Sequence, residues 1–467
     1  MKLYNILWSL FILFVSVLTL LAMQEYTGKI FVYFLFSIVS NYYLYYSFRD
    51  KAIFFDTFLA VFLWLGIWLK ITIHVAFYHS EFWEGLHNTA LNGSDFDEAL
   101  YVAISAFVSL MIASKIREKF FSYSRKEKTL YDGMYFFYKN HKVKIVIVYI
   151  SLFIFIGVSN FYLGIYQRGE ITQTFLPFGL NGIYKWLLLF GLSSFAALLL
   201  TYEFMLKKQT SYFIPILVLI ESTVTNISLL SRGMLLNSSA LGYGMIKEVY
   251  YKYIASNMKF WVTVVISFIF LFLVSVVVVN NLRKHTATKT ISIEKNVKGV
   301  IGLVVNRWVG AEGLLAVSHS DKKSWELFKT AIHEKYNEHS TSFYDLNLIN
   351  SPYRNIDTTK HHYMSLPGFI AFFYYAGSIV FVVFMMIIIS FFASIIEILA
   401  YKLNGGSFII ASLFGEVMAY RFTHFGYVPA QSYLLFGTII ANIIIIYLMQ
   451  KFFNRIYKEE IISAKKQ

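Results

Sequence analysis

The sequence predicts an all-α, polytopic integral membrane protein of about twelve transmembrane helices with one large external loop. Three observations carry the membrane reading. The 467 residues are 57% hydrophobic and 15% charged, where soluble domains carry roughly a quarter charged residues. Apolar runs of about the 20 residues needed to cross a bilayer recur from end to end. Only five prolines occur, so long unbroken helices are allowed.

The expected spans lie near 5–23, 29–48, 52–78, 98–116, 143–165, 184–206, 211–231, 233–250, 259–281, 367–399, 405–427 and 431–452. The eighth, GMLLNSSALGYGMIKEVYY, is short and polar; the tenth is long enough to tilt or to run past the lipid. The first ends in LLAMQEY, without a small-x-small cleavage site, and further spans follow at once, so it is expected to be retained. An inside N-terminus places SFRDK (47–51), the basic 117–144 segment, LKKQ (206–209) and the tail from Lys451 in the cytoplasm, as the positive-inside rule expects. Glu81, Glu84, Asp95, Asp97 and Glu98 then fall outside, and an even number of spans makes both termini cytoplasmic. Residues 282–366 form the long external loop between spans 9 and 10. It is richer in Lys and Arg than in Asp and Glu, but long loops translocate largely regardless of charge. No repeat or soluble domain interrupts 1–467, which reads as one transmembrane domain.

Composition also excludes. The net charge of +14 is what lipid-flanking Lys and Arg supply, so nucleic acid is not an expected partner. There is no cysteine, hence no disulfide, thiol nucleophile or cysteine-ligated metal. Neither a P-loop nor a dinucleotide fingerprint is present. The cytoplasmic segments are too short to hold a nucleotide-sugar-binding domain, so chemistry is expected outside. No cofactor is expected, and no metal: His361 and His362 are adjacent and point different ways, with no further ligand at a usual spacing.

Ionisable groups within spans are costly and are functional hypotheses by default, beside the plainer reading that they pair to fix helix packing. In ESTVTNISLLSRG (221–233), Glu221, Thr225, Ser228 and Arg232 share one helical face, with Arg232 at the outer end. In WLGIWLKITIH (64–74), Lys70 lies deep with His74 on the same face. It needs a partner: lipid phosphate, Glu221 or a substrate pyrophosphate would serve. In GEVMAYRFTHFGYVP (415–429), Tyr420 and Arg421 both reach the face of His424, and an interfacial arginine with an aromatic belt is the plainer reading.

VVNRWVGAEGLLAVSHS (304–320) is too charged for a span and too apolar for a solvated loop. It reads as a short helix on, or dipping into, the outer face of the membrane, or as a packing helix capping the bundle. A helix through 307–319 groups Trp308, Glu312, Leu315 and His319 on one side, and Arg307, Gly310 and Leu314 on another. Gly310 and Gly313 allow a second backbone or a sugar to approach closely.

With about twelve spans, a large late external loop, the Arg-Gly pair of SRG (231–233) ending a mid-chain span, and the loop arginine of RWVGAEG (307–313), the chain resembles the bacterial O-antigen polymerases of the Wzy type and the related O-antigen ligases. The resemblance implies a metal-independent GT-C glycosyltransferase of the inner membrane, with its active site facing the periplasm. Such an enzyme transfers a growing glycan from undecaprenyl pyrophosphate onto an incoming lipid-linked repeat unit, with inversion. Its partners are those lipid-linked oligosaccharides, membrane lipid and a chain-length-regulating co-polymerase. Arginine binds phosphate bidentately and stays charged, so Arg232, Arg307, Arg421 and Arg354 are the expected pyrophosphate ligands. Glu312, then His319, are the expected proton acceptors. Lys70, His74, Glu221, His361, His362 and His424 are secondary candidates. The rival readings are an O-antigen ligase with lipid A core as acceptor, a flippase or transporter of lipid-linked oligosaccharide, and an acyltransferase.

Overall fold

The computed structural model describes residues 2–82, 86, 91–123, 132–207, 209–231, 233, 235–252, 254–286, 305–337, 340–355 and 363–466. Among these, regular structure is helical apart from isolated bridge residues, such as the pair Gln209 and Ala255. In chain order the elements are α1 (Lys2–Glu25), α2 (Ile30–Tyr46), α3 (Phe54–Phe77), α4 (Gly93–Arg117), α5 (Gly133–Leu163), α6 (Pro177–Lys207), α7 (Phe213–Ser228), α8 (Leu235–Lys252), α9 (Met258–Thr286), α10 (Ala311–His319), α11 (Trp325–Ile332), α12 (Phe343–Asn347), α13 (Phe369–Tyr374), α14 (Ile379–Leu403), α15 (Phe408–Thr423), α16 (Ser432–Ile456) and α17 (Lys458–Lys466).

Eight of these helices are long and apolar enough to cross a membrane among the described residues: α1, α3, α4, α5, α6, α9, α14 and α16. The chain is therefore a polytopic, all-helical membrane protein. Of the other expected spans, α2 and α7 are apolar but shorter, α15 has 16 residues, and α8 is the polar one. The apolar run expected as one span over 367–399 is broken. α13 ends at Tyr374, Gly377 takes a left-handed φ of 72°, and α14 begins at Ile379. The burial of the spans sorts them. Of its most apolar window α3 buries 78%, whereas α1 and α9 bury 17%, so α3 is a core helix and the other two present apolar faces outward, as lipid-facing helices do.

The chain divides into two compact units: 1–122 with 291–393 and 419–432, and 123–290 with 394–418 and 433–467. In the first unit α2 runs against α4, with Tyr43 stacked on Phe107. At one end of that pair Arg117 holds Asp56 at 2.8 Å and Arg49 holds Glu118 at 2.5 Å. At the other, Asp97 accepts the Tyr26 hydroxyl and the Lys29 amide, each at 2.9 Å. Asn92 and Asp95 form a capping box that starts α4, satisfying amides that a helix N-terminus leaves unpaired. α3 widens into a π-helical turn over Trp64–Leu69, immediately before Lys70; such turns recur at functional positions.

In the second unit α5 begins at an Asp132 cap, and buried Glu203 on α6 takes Lys142 at 2.7 Å and Lys207 at 3.1 Å. Asn160 of α5 donates to the Ser228 carbonyl and hydroxyl at the end of α7. Leu230 then adopts a left-handed φ of 49° and the Ser231 amide bonds back to the Asn226 carbonyl at 2.9 Å, ending the helix.

Candidate functional site: an arginine segment pinned to a buried lysine

The opening residues of the 305–319 stretch do not belong to one continuous helix. Val305 and Asn306 are π-helical, Arg307–Gly310 is irregular, and α10 starts only at Ala311. Trp308 and Arg307 therefore do not share helical faces with Glu312 or Leu314. Nor does α10 float on a surface, since every residue from Ala311 to Ser318 is buried. It packs against α4 and α13. Glycine makes this possible. A Cβ on Gly313 would lie 1.9 Å from the Pro367 carbonyl oxygen, and one on Gly66 would lie 2.3 Å from that of Val309. Backbone meets backbone at both places, where no side chain fits.

The pin is Lys70. Its side chain is fully buried, and its ammonium donates to the Asn306 carbonyl at 2.8 Å, the Trp308 carbonyl at 3.2 Å and Glu312 Oε2 at 2.5 Å. An ammonium has three donors, and here all three have acceptors. Lys70 is thus occupied by the protein itself, and Glu312 by Lys70. One turn further along α3, His74 places Nε2 2.7 Å from Asn306 Oδ1 and Nδ1 2.5 Å from the Glu81 carbonyl, with its ring stacked on Phe82. Residues 306, 308 and 312 are therefore fixed from one helix.

Arg307 lies between the two carbonyls that Lys70 holds. It is exposed, and among the described residues it makes no hydrogen bond or ion pair. An aromatic path leads from it to the end of α15. Trp308 stacks on Phe62 (5.8 Å between ring centroids, 22°), Phe62 meets Tyr420 edge-on (6.3 Å), and Tyr420 stacks on His424 (4.0 Å). His424 Nδ1 lies 3.0 Å from the Tyr420 carbonyl, and Arg421 is half-buried in the same last turn. A narrow crevice nearby is lined by Ile67, Val309, Gly310, Pro367, Phe369 and Thr423. Hydrogen bonds thus tie Lys70, His74 and Glu312 to the segment that carries Arg307, and ring contacts run from Trp308 to His424.

His319, at the C-terminal end of α10, meets the start of α4. Its Nδ1 lies 2.8 Å from Asp95 Oδ2, and 40% of the side chain is exposed. Beside it Lys323 pairs with Glu98, which also accepts the Tyr374 hydroxyl at 2.6 Å. Arg354 has a different job. Its guanidinium donates at 2.7 Å to each of the Asp345, Leu346 and Ile349 carbonyls, capping α12. Glu221 belongs to the second unit, where it is buried and accepts the Thr225 hydroxyl at 2.9 Å. Arg232, His361 and His362 lie outside the described residues. Among the described residues no three His, Asp or Glu side chains converge as metal ligands would.

Sequence reasoning missed Asp95, Asn306 and Phe62. Asp95 carried a visible signal, the N-x-x-D spacing of a capping box, but that signal reports the helix start and not the histidine. It also missed Glu334, whose carboxylate accepts the Phe343 amide at 2.5 Å and the Val428 amide at 2.7 Å. Val428, a β-branched residue at φ 42°, sits in a strained conformation that this bond helps to hold. Burial pushes the Glu334 carboxyl above its ordinary value, and the two amides only partly offset this.

Fold and site together define a polytopic helical membrane protein that presents an exposed arginine on a segment anchored to its core. Comparison of the chain with protein-family models, with curated proteins and with solved structures finds no match.

Proposed function

We propose that the protein is a membrane glycosyltransferase of the O-antigen polymerase type, joining lipid-linked oligosaccharide repeat units at the periplasmic face of a bacterial inner membrane. One observation carries the reading: Lys70 fixes the backbone carbonyls on both sides of Arg307 and leaves Arg307 itself exposed. An arginine held this way is a preorganised anion ligand. It costs no reorganisation when negative charge grows on a leaving pyrophosphate, which is how the largest catalytic term commonly arises. Arg421, half-buried in the last turn of α15, is the second cation of this reading.

In the reaction the acceptor hydroxyl attacks the anomeric carbon of the donor sugar, and the carbon–oxygen bond to the pyrophosphate breaks. Undecaprenyl pyrophosphate leaves with the electron pair, and the hydroxyl proton passes to a base. Glu312 is committed to Lys70, so the base in this reading is His319.

The experiment is a lipopolysaccharide gel from a strain lacking the protein. The polymerase reading expects loss of the ladder with one repeat retained, restored by the wild-type gene and not by Arg307→Ala at equal protein level. Accumulation of lipid-linked polymer would assign a ligase instead, and lipid-linked single units left on the cytoplasmic side would assign a flippase.

A further inference from the structure

We propose that Asp95 is the positioning residue that makes His319 a proton acceptor, an inference that rests on the function proposed above. A carboxylate can only accept a hydrogen bond, so the 2.8 Å contact between His319 Nδ1 and Asp95 Oδ2 places the hydrogen on Nδ1. In neutral imidazole that leaves the lone pair on Nε2. Among the described residues Nε2 has no hydrogen-bond partner, and the ring is 40% exposed, so Nε2 is open to an incoming hydroxyl.

The carboxylate is itself fixed. The same Oδ2 accepts the Asn92 amide at 3.0 Å, within the capping box that opens a 25-residue helix. His319 ends a buried helix packed against that one. A site carried on two rigid helices keeps its geometry better than one on loops. Neighbouring charges are engaged elsewhere: Asp97 by Tyr26 and the Lys29 amide, Glu98 by Lys323 and Tyr374. Asp95 is the acid on this turn that meets the histidine. As the acceptor hydroxyl attacks and undecaprenyl pyrophosphate departs, the hydroxyl proton goes to Nε2. Asp95 stays ionised beside the imidazolium, orienting it and balancing its charge. The proton then leaves to solvent.

The test uses full-length protein in liposomes with lipid-linked repeat units, measuring turnover and KM. Asp95→Asn keeps shape and removes the charge; it is expected to lower turnover about a hundredfold, the scale of a general base, with KM unchanged. Asp95→Glu is expected to recover part of the loss, and added imidazole to recover part of the activity of His319→Ala. Wild-type turnover in Asp95→Asn, beside an inactive His319→Ala, overturns the role of Asp95 and leaves the proposed function standing. A loss in Asp95→Asn that Asp95→Glu does not relieve, with a lowered unfolding temperature, makes Asp95 a helix cap only and also overturns it. Wild-type protein that forms no glycosidic bond overturns the function itself.

Discussion

Lys70 and Glu312 stand 242 positions apart in the chain and meet at 2.5 Å in the interior of the first unit. The pair joins the middle of a core span to the first turn of α10. Removing one member of a buried pair costs about 3–5 kcal/mol, because the other charge is left without compensation. Lys70→Met and Glu312→Gln are each expected to lower the unfolding temperature in detergent markedly. Lys70→Met combined with Glu312→Gln is expected to lose less than the two single effects added. Simple additivity would contradict the pairing.

Two arginines of the same stretch of chain are expected to behave oppositely. Arg307→Ala removes an exposed group that makes no hydrogen bond or ion pair among the described residues, so the unfolding temperature should not move while polymer is lost. Arg354→Ala frees three carbonyls at the end of α12 and is expected to destabilise by about 1–2 kcal/mol. Thermal unfolding beside a lipopolysaccharide gel reads both.

Gly313→Ala tests the close approach of α10 to Pro367. With the nearest atom a backbone oxygen at 1.9 Å, no side-chain rotation relieves the clash, and overpacking of about 1–3 kcal/mol or more follows. Reduced membrane protein level and a lowered unfolding temperature are expected. A variant as stable as wild type would show that α10 does not sit against Pro367.

The Glu334 clamp gives a pH dependence. Burial raises its carboxyl above the ordinary value of 4.5, so the folded protein holds this proton more tightly than the unfolded chain. The group's contribution to stability is present at pH below 4.5 and is lost as pH rises through the raised folded value. Glu334→Gln is expected to flatten that part of the unfolding-temperature profile. It should also destabilise at every pH, because a single amide oxygen cannot accept from both Phe343 and Val428. An unchanged profile would remove Glu334 from the clamp.

The parts of this architecture set by local pattern were legible in the sequence. Apolar runs of bilayer length marked the long helices, and the depth of Lys70 in WLGIWLKITIH announced that it needed a partner. The partner itself was not legible, because Glu312 reaches it through tertiary folding alone, and lipid phosphate, Glu221 and pyrophosphate looked equally suitable. The break between α13 and α14 was hidden by continuous apolar residues through FIAFFYYAGSIVFVVF, with Gly377 its one local mark. The face assignments around Arg307 failed because helical periodicity was extended through Arg307–Gly310. There the chain instead follows the carbonyls that Lys70 binds and the left-handed φ of 145° at Gly310. Arg354 looked like a phosphate ligand because residue type and loop position cannot reveal that its hydrogen bonds go to backbone carbonyls.

The central claim is that Arg307, held between two pinned carbonyls, stabilises the leaving pyrophosphate of a glycosyl transfer. The most direct measurement is glycosidic bond formation by purified wild-type and Arg307→Ala protein in liposomes supplied with lipid-linked repeat units. The account predicts polymer from the wild type and a loss of about 10²–10³-fold in turnover in Arg307→Ala, with unfolding temperatures alike. Translocation of the lipid-linked units without bond formation by the wild type, or equal turnover in the two proteins, would contradict it.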